Sequence, residues 1–160
     1  MTRWPYLLCL GMLTATPSPA DEAGDQAAAI SETDTDMRQA MAQARDTLDD
    51  FLREFERQPA GSSHFQLRVR LHDGRTSELL WMTQLQRDGD AFYGIIAHEP
   101  RTLTALQADQ RQRFSRADIV DWGYVSNGKQ LGGYTTCAVL RRMAPQQADL
   151  YRREYRFDCN

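Results

Sequence analysis

The sequence predicts an α+β fold, in which a long N-terminal amphipathic helix packs on an antiparallel sheet of five to six strands, followed by one or two C-terminal helices. Residues 37–55 carry apolar side chains at spacings of three and four, as on one face of a helix. Residues 64–72 alternate between polar and apolar side chains, which is typical of a strand with one solvated face. The Asp-Gly pair at 73–74 and the Asn-Gly pair at 127–128 are hairpin signals.

The long helix is predicted to cover a sheet, because its apolar stripe is narrow and its other faces are charged. Asp36 is a suitable N-cap, since a short carboxylate side chain accepts hydrogen bonds from the first backbone N–H groups. A proline at position 59 and the small residues that follow it end the helix. The stripe consists of Met37, Met41, Ala44, Leu48, Phe51, Leu52 and Phe55.

The first three strands are predicted to form a meander joined by tight turns. The predicted strands are residues 64–72, 79–85, 91–97, 111–114 and 118–125. The Asn-Gly pair then turns the chain into a further short extended segment that ends in a double glycine. A helix is predicted from Tyr134, and another begins at Pro145, since proline is tolerated in the first turn of a helix.

The first twenty residues are typical of a cleavable secretory signal peptide. Arg3 supplies a positive charge, an apolar run follows at 7–13, and Ala20 ends a stretch of small residues, so cleavage is predicted before Asp21. The apolar run is shorter than the roughly 20 residues that span a bilayer. The protein is therefore predicted to be exported to the periplasm without stable insertion into the membrane.

The mature chain is predicted to have two parts. Residues 21–36 contain acidic but no basic side chains and few apolar ones, which predicts a disordered tether. Residues 37–160 are long enough for a single globular domain. The formal net charge of −3 is too mildly acidic to favour nucleic acid or anionic lipid as a partner.

Two cysteines, Cys137 and Cys159, lie outside the predicted signal peptide. In an oxidising compartment such a pair usually forms a disulfide, which is the prediction made for it. The alternative, two unrelated thiols, stays open because Cys159 is second from the C-terminal end, where chains fray.

A run of residues near the last predicted strands resembles a family signature. The run comprises three segments: DIVDWGY at 118–124, Asn-Gly at 127–128 and GGYT at 132–135. Together they resemble the signature of the YegJ-like family of bacterial domains of unknown function, in which DW-x-Y is followed by a glycine and then by G-x-YT. An earlier segment, 108–114, lacks the glycine that the family pattern has there. The resemblance covers about residues 37–150. It implies a fold and often an exported setting, but it implies no activity and assigns no catalytic residue.

Sequence patterns for catalysis and metal binding are sparse. The three histidines form no H-x-x-x-H or H-E-x-x-H motif, and there is no C-x-x-C or G-x-S-x-G motif. We therefore predict no metal site and no cofactor. His98 and Glu99 precede Pro100, where they could bring an imidazole and a carboxylate together in a loop. The alternative is an exposed histidine beside a solvated glutamate.

The candidate binding residues are aromatic. Trp122 and Tyr124 project from one face of their strand and Asp121 from the other, while Tyr134 follows the double glycine. One interpretation is a rigid aromatic patch that binds a protein. The other, which we favour, is that these rings pack in the core under the long helix.

The function predicted from the sequence is that of an exported, non-catalytic binding module whose partner is another protein. A concrete version is an immunity-type protein that neutralises an envelope-targeting toxin, and its mild acidity would suit a basic partner. The alternative is a small cell-envelope hydrolase that uses His98 or a pair of carboxylates.

Overall fold

The fold is described from a computed structural model, which covers residues 31–157 and 159. The predicted signal peptide at 1–20 and most of the predicted tether at 21–36 lie outside the described residues. Residues 31–34 form a turn that leads directly into the first helix.

Within the described residues, six strands form one antiparallel sheet, and four α-helices lie around it. The sheet order is β4-β3-β2-β1-β5-β6. The α+β class and the antiparallel sheet are therefore confirmed. The helices are α1 (Thr35–Asp46), α2 (Leu48–Arg57), α3 (Tyr134–Leu140) and α4 (Pro145–Tyr155). The strands are β1 (Ser62–Asp73), β2 (Thr76–Asp88), β3 (Ala91–Ile96), β4 (Arg111–Ser115), β5 (Ile119–Ser126) and β6 (Lys129–Gly132).

The prediction of one long N-terminal helix is wrong, because the helix is broken at Thr47 into α1 and α2. The hydroxyl of Thr47 donates to the carbonyl of Gln43 at 2.8 Å. The indole N–H of Trp122 donates to the carbonyl of Ala44 at 3.0 Å and reaches the Thr47 hydroxyl at 3.2 Å. Side-chain hydrogen bonds of this kind compete with helix continuation. The N-cap is Asp34 rather than Asp36, since the Asp34 carboxylate accepts the backbone N–H groups of residues 36 and 37.

The main core lies between α2, the C-terminal half of α1 and one face of the sheet. Phe51 of α2 is buried against this face, as is Leu48 at the start of the same helix. The sheet residues that share the cluster include Leu67, Val69, Leu80, Met82, Phe92, Ile96, Phe114, Trp122 and Tyr124. The helices therefore cover the sheet, as their narrow apolar stripe predicts.

The opposite face of the sheet is partly covered by the C-terminal helices. Arg68 of β1, expected on a solvated face, is only 6% exposed, because α3 begins against it at Thr135. Val120 is an extra residue in β5 between the pairs Arg68–Asp121 and Val69–Ile119, which makes a β-bulge. Within the described residues, no helix has the length and hydrophobicity to span a membrane.

Candidate functional site

Trp122 and Tyr124 pack in the core under α2, where they are 7% and 8% exposed. The ring centroid of Phe51 lies 5.3 Å from that of Trp122 and 6.0 Å from that of Tyr124. Phe65 stacks on Tyr124 at 4.9 Å. The two rings are thus packed as the core-packing interpretation describes, and little of their surface is left for a partner.

Tyr134 extends the same cluster to the surface. Its half-buried ring meets Trp122 edge-on at 5.5 Å, and its hydroxyl lies 3.3 Å from that of Thr47. Tyr134 and Trp122 also contribute to the lining of a shallow groove of about 660 Å³ beside the Cys137–Cys159 pair. Tyr134 is thus the most accessible of the three predicted aromatic residues.

Asp121 is fully buried and holds the first turn of α3. One carboxylate oxygen accepts the backbone N–H groups of Trp122 at 2.8 Å and Tyr134 at 3.3 Å. The other accepts the backbone N–H of Thr135 at 2.7 Å and its hydroxyl at 2.5 Å. Burial raises the pKa of Asp121 to about 6, against the opposing effects of these hydrogen bonds and of the Arg68 charge. The acceptor sites of Asp121 are therefore occupied by its own fold.

Arg68 lies on the other side of Thr135 and was not singled out by sequence reasoning. One of its terminal nitrogens donates to the Thr135 hydroxyl at 2.8 Å, so Thr135 bridges Arg68 and Asp121. The Nε of Arg68 is buried and has no hydrogen-bond partner among the described residues. Burial lowers the pKa of Arg68, while the negative charge of Asp121 raises it.

The C-terminal segment is fastened beside β6. Cys137 and Cys159 form a disulfide with their Cα atoms 5.4 Å apart. The backbone N–H of Gln130 in β6 donates to the carbonyl of Arg156 at 3.2 Å, and Gln130 and Phe157 form a parallel bridge. These links set the position of residues 155–157 relative to the sheet.

An aromatic groove of about 400 Å³ lies between this C-terminal segment and the sheet. We define it by Trp81 of β2, Tyr151 and Tyr155 of α4, and Phe157, with Gln66 of β1. The ring centroids of Tyr151 and Tyr155 are 4.5 Å apart, as expected for positions i and i+4 of a helix. Phe157 lies 5.9 Å from Tyr151. The volume of the groove falls within the range of roughly 300–1,000 Å³ that is typical of small-molecule sites.

Gly123 leaves space for two amides beside this groove. A Cβ atom on Gly123 would lie 2.8 Å from Nε2 of Gln130 and 3.3 Å from Nε2 of Gln66. Both glutamines contribute to the groove lining. The Gln130 amide donates to the carbonyl of Leu131 at 3.2 Å. The Gln66 amide has no hydrogen-bond partner in the part of the chain that the structure describes.

His64 contributes to the groove lining from a strained backbone position. It sits where the β1–β5 register shifts, with φ of 54°, in the left-handed region that non-glycine residues rarely adopt. Its Nδ1 lies 2.9 Å from the Ser63 hydroxyl. Such outliers are found more often at functional positions than elsewhere in a fold.

His98 and Glu99 lie in an exposed loop and do not pair. His98 Nδ1 is 3.4 Å from the backbone carbonyl of Glu99, whereas the Glu99 carboxylate accepts the backbone N–H of Ala108 at 3.0 Å. Neither residue contributes to the lining of the two grooves described above. Within residues 31–157 and 159, no group of three His, Cys, Asp or Glu residues could hold a metal ion.

Comparison with known proteins supports the resemblance drawn from the sequence. Residues 34–159 match the family described as "Uncharacterized protein conserved in bacteria (DUF2314)". The "Uncharacterized protein YegJ" of Escherichia coli (strain K12) is 27% identical over 143 residues, which are 89% of this chain and 92% of that protein. The "Putative ankyrin repeat protein NMB1133/NMB1171" of Neisseria meningitidis serogroup B is 32% identical over 75 residues, 47% of this chain and 30% of that protein. No solved structure matches significantly. The predicted likeness to a YegJ-like family is confirmed.

Proposed function

We propose that this chain, which belongs to the DUF2314 family of bacterial proteins, is an exported, non-catalytic binding module whose ligand occupies the aromatic groove. The observation that carries the proposal is the composition of the groove: Trp81, Tyr151 and Tyr155 supply aromatic surface, and their polar groups have no hydrogen-bond partners within the described residues. A few free polar groups in a largely aromatic concave surface are typical of ligand sites.

The proposed export to the periplasm rests on the charged start, apolar run and small-residue end of residues 1–20. The Cys137–Cys159 disulfide supports it, because structural disulfides persist in oxidising compartments and are rare in the cytosol. The disulfide also supports the proposed site, since it fastens the segment that carries Phe157.

Binding rather than catalysis is favoured by the environment of the candidate catalytic groups. A general base needs a free position within hydrogen-bond reach of its substrate. Asp121 accepts four hydrogen bonds from its own fold, and Glu99 accepts the Ala108 N–H instead of orienting His98. The hydrolase alternative would need a pair of groups that these contacts do not provide.

The immunity-type version of the proposal names a protein partner. Exposed apolar side chains near the C-terminal segment support a macromolecular partner: Leu131 is 37%, Leu150 55% and Tyr155 36% exposed. The acidic side chains on the exposed side of α2 give less support to a basic toxin, because Asp50 pairs with Arg53 and Glu56 pairs with Arg87.

The proposal is tested by capture from a periplasmic extract. The secreted protein is immobilised, and the material it retains is compared with that retained by a Trp81→Ala, Tyr155→Ala double variant. Tyr93→Ala is the matched control, because Tyr93 is a half-buried aromatic residue outside the groove lining that packs under Arg111. We expect the double variant to lose material that the wild type and the control retain. Equal retention by all three proteins would refute the groove as the binding site.

A further inference from the structure

We propose that the ligand of the aromatic groove is a glycan chain of pyranose sugars that carries no positive charge. This inference rests on the proposed function and names the ligand of the same site. It is argued from the shape of the aromatic surface, the free polar groups around it and the charges beneath it.

The aromatic surface suits the flat, apolar C–H faces of pyranose rings. Trp81 comes from β2, while Tyr151 and Tyr155 come from successive turns of α4. The sheet and the helix therefore both contribute aromatic rings to the lining of the same groove. Large, rigid side chains with an apolar body and a polar edge give contact area at low entropy cost.

The free polar groups favour a ligand with many hydroxyls. The indole N–H of Trp81, the amide of Gln66 and the hydroxyls of Thr136, Tyr151 and Tyr155 have no hydrogen-bond partners within residues 31–157 and 159. An apolar ligand would remove these groups from water without replacing their hydrogen bonds, which is unfavourable. A polyhydroxylated ligand replaces the bonds as it excludes the water.

The charges around the groove disfavour a cationic ligand. Among the described residues, the groove lining contains no carboxylate side chain. The guanidinium carbon of Arg68 lies 5.8 Å from the ring centroid of Trp81 and so occupies the neighbourhood in which a ligand cation would bind that ring. Arg68 thereby competes with a second cation for the position beside Trp81, although Asp121 and Glu32 offset part of its charge. Basic peptides and quaternary amines are thereby disfavoured relative to neutral or acidic sugars.

The same lining indicates binding without cleavage. Most glycoside hydrolases place two carboxyl groups on either side of the scissile bond. The described residues of the lining include no Asp or Glu, so they provide no acid and nucleophile pair for this reaction. A bound glycan is therefore held intact, in agreement with a non-catalytic module.

The test is calorimetric titration of the secreted protein with hexasaccharides of glucose, of N-acetylglucosamine and of galacturonic acid, and with glycan fragments from digested bacterial cell wall. We expect at least one of these probes to bind. Trp81→Ala and Tyr155→Ala should each weaken binding about tenfold or more, as central aromatic contacts do. Gln66→Ala should weaken it less, and Tyr93→Ala should bind as the wild type does. Circular dichroism and thermal melting establish that each variant is folded.

Two results would overturn the inference. One is that no probe binds the wild type. The other is that a probe binds all the groove variants with unchanged affinity. If the groove instead captures a protein that the Trp81→Ala, Tyr155→Ala variant loses, while no glycan binds, then the ligand class is wrong and the proposed function stands. If neither a glycan nor any captured material depends on the groove, both proposals fail.

Discussion

Replacing Asp121 by asparagine removes the negative charge at the centre of the buried cluster that holds α3 to the sheet. In the wild type, each of the two carboxylate oxygens accepts two hydrogen bonds. The substitution turns one oxygen into an NH₂ group, which cannot accept its two. A buried donor left without its acceptor costs about 1–3 kcal/mol. Arg68, 6% exposed, also loses the only buried acidic partner within the described residues. Burial disfavours the Asp121 charge more than Arg68 favours it, so the loss of the charge itself adds nothing to the destabilisation. From the lost hydrogen bonds we expect Asp121→Asn to destabilise the protein by about 1–3 kcal/mol.

The pH dependence of this difference tests the reasoning further. Burial raises the pKa of Asp121 from 3.8 to about 6 in the folded protein. Between these two values the folded state binds more protons than the unfolded state, so this group lowers stability as the pH rises. At about 1.36 kcal/mol per pKa unit, this difference in pKa changes the free energy of unfolding by about 3 kcal/mol across the titration. The stability advantage of the wild type over Asp121→Asn should therefore grow by about 3 kcal/mol from pH 7 down to pH 3.5.

The assay is urea unfolding of both proteins at a series of pH values, with the disulfide intact. Subtracting the variant from the wild type removes the contributions of the other carboxyl groups, which are common to both. An advantage that is independent of pH would show that the Asp121 pKa is not raised. An advantage that grows with rising pH would show that Arg68 and the hydrogen bonds outweigh burial.

Three further predictions follow from the core and the C-terminal segment. Trp122→Ala should lower the free energy of unfolding by about 3–5 kcal/mol, because it empties a packed site against Phe51, and an unchanged melting curve would contradict this. Gly132→Ala should reduce the yield of folded protein, since φ is +73° and the added Cβ would lie 2.2 Å from the Trp122 carbonyl oxygen; a normal melting temperature would refute the clash. Reducing the Cys137–Cys159 disulfide should lower the free energy of unfolding by about 3 kcal/mol, given the separation of 22 residues. Thermal melting with and without reductant measures this loss, and equal melting temperatures would contradict it.

The sheet was predictable because its signals are local. Alternation along 64–72 and the turn pairs at 73–74 and 127–128 depend on neighbouring residues alone. The break at Thr47 was not predictable in this way, because it depends on a hydrogen bond from Trp122, 75 residues further along the chain. Weak helix formers at 46–47 were the only local sign.

The candidate site was harder to predict than the fold. Alternation shows that Arg68 faces away from the core, but not that α3 covers that face. The groove joins Trp81 to Tyr151 and Tyr155, which no short motif connects, although the i, i+4 spacing of the two tyrosines was a visible signal. Residues of the two family-like segments contact each other in the fold: the Asp121 carboxylate accepts hydrogen bonds from the backbone N–H and the hydroxyl of Thr135. Their role in this structure is to hold α3 against the sheet.

The central claim, that the aromatic groove and not the Trp122 cluster is the binding site, is tested most directly by the tryptophan indole signals in nuclear magnetic resonance. The chain has three tryptophans, and Trp4 lies in the predicted signal peptide, so a protein cleaved before Asp21 should show two indole N–H resonances. ¹⁵N-labelled protein is titrated with the material that it captures from periplasmic extract. We predict that the Trp81 indole resonance shifts or broadens while that of Trp122 stays in place. A shift of the Trp122 and Tyr134 resonances with Trp81 unchanged would contradict the account.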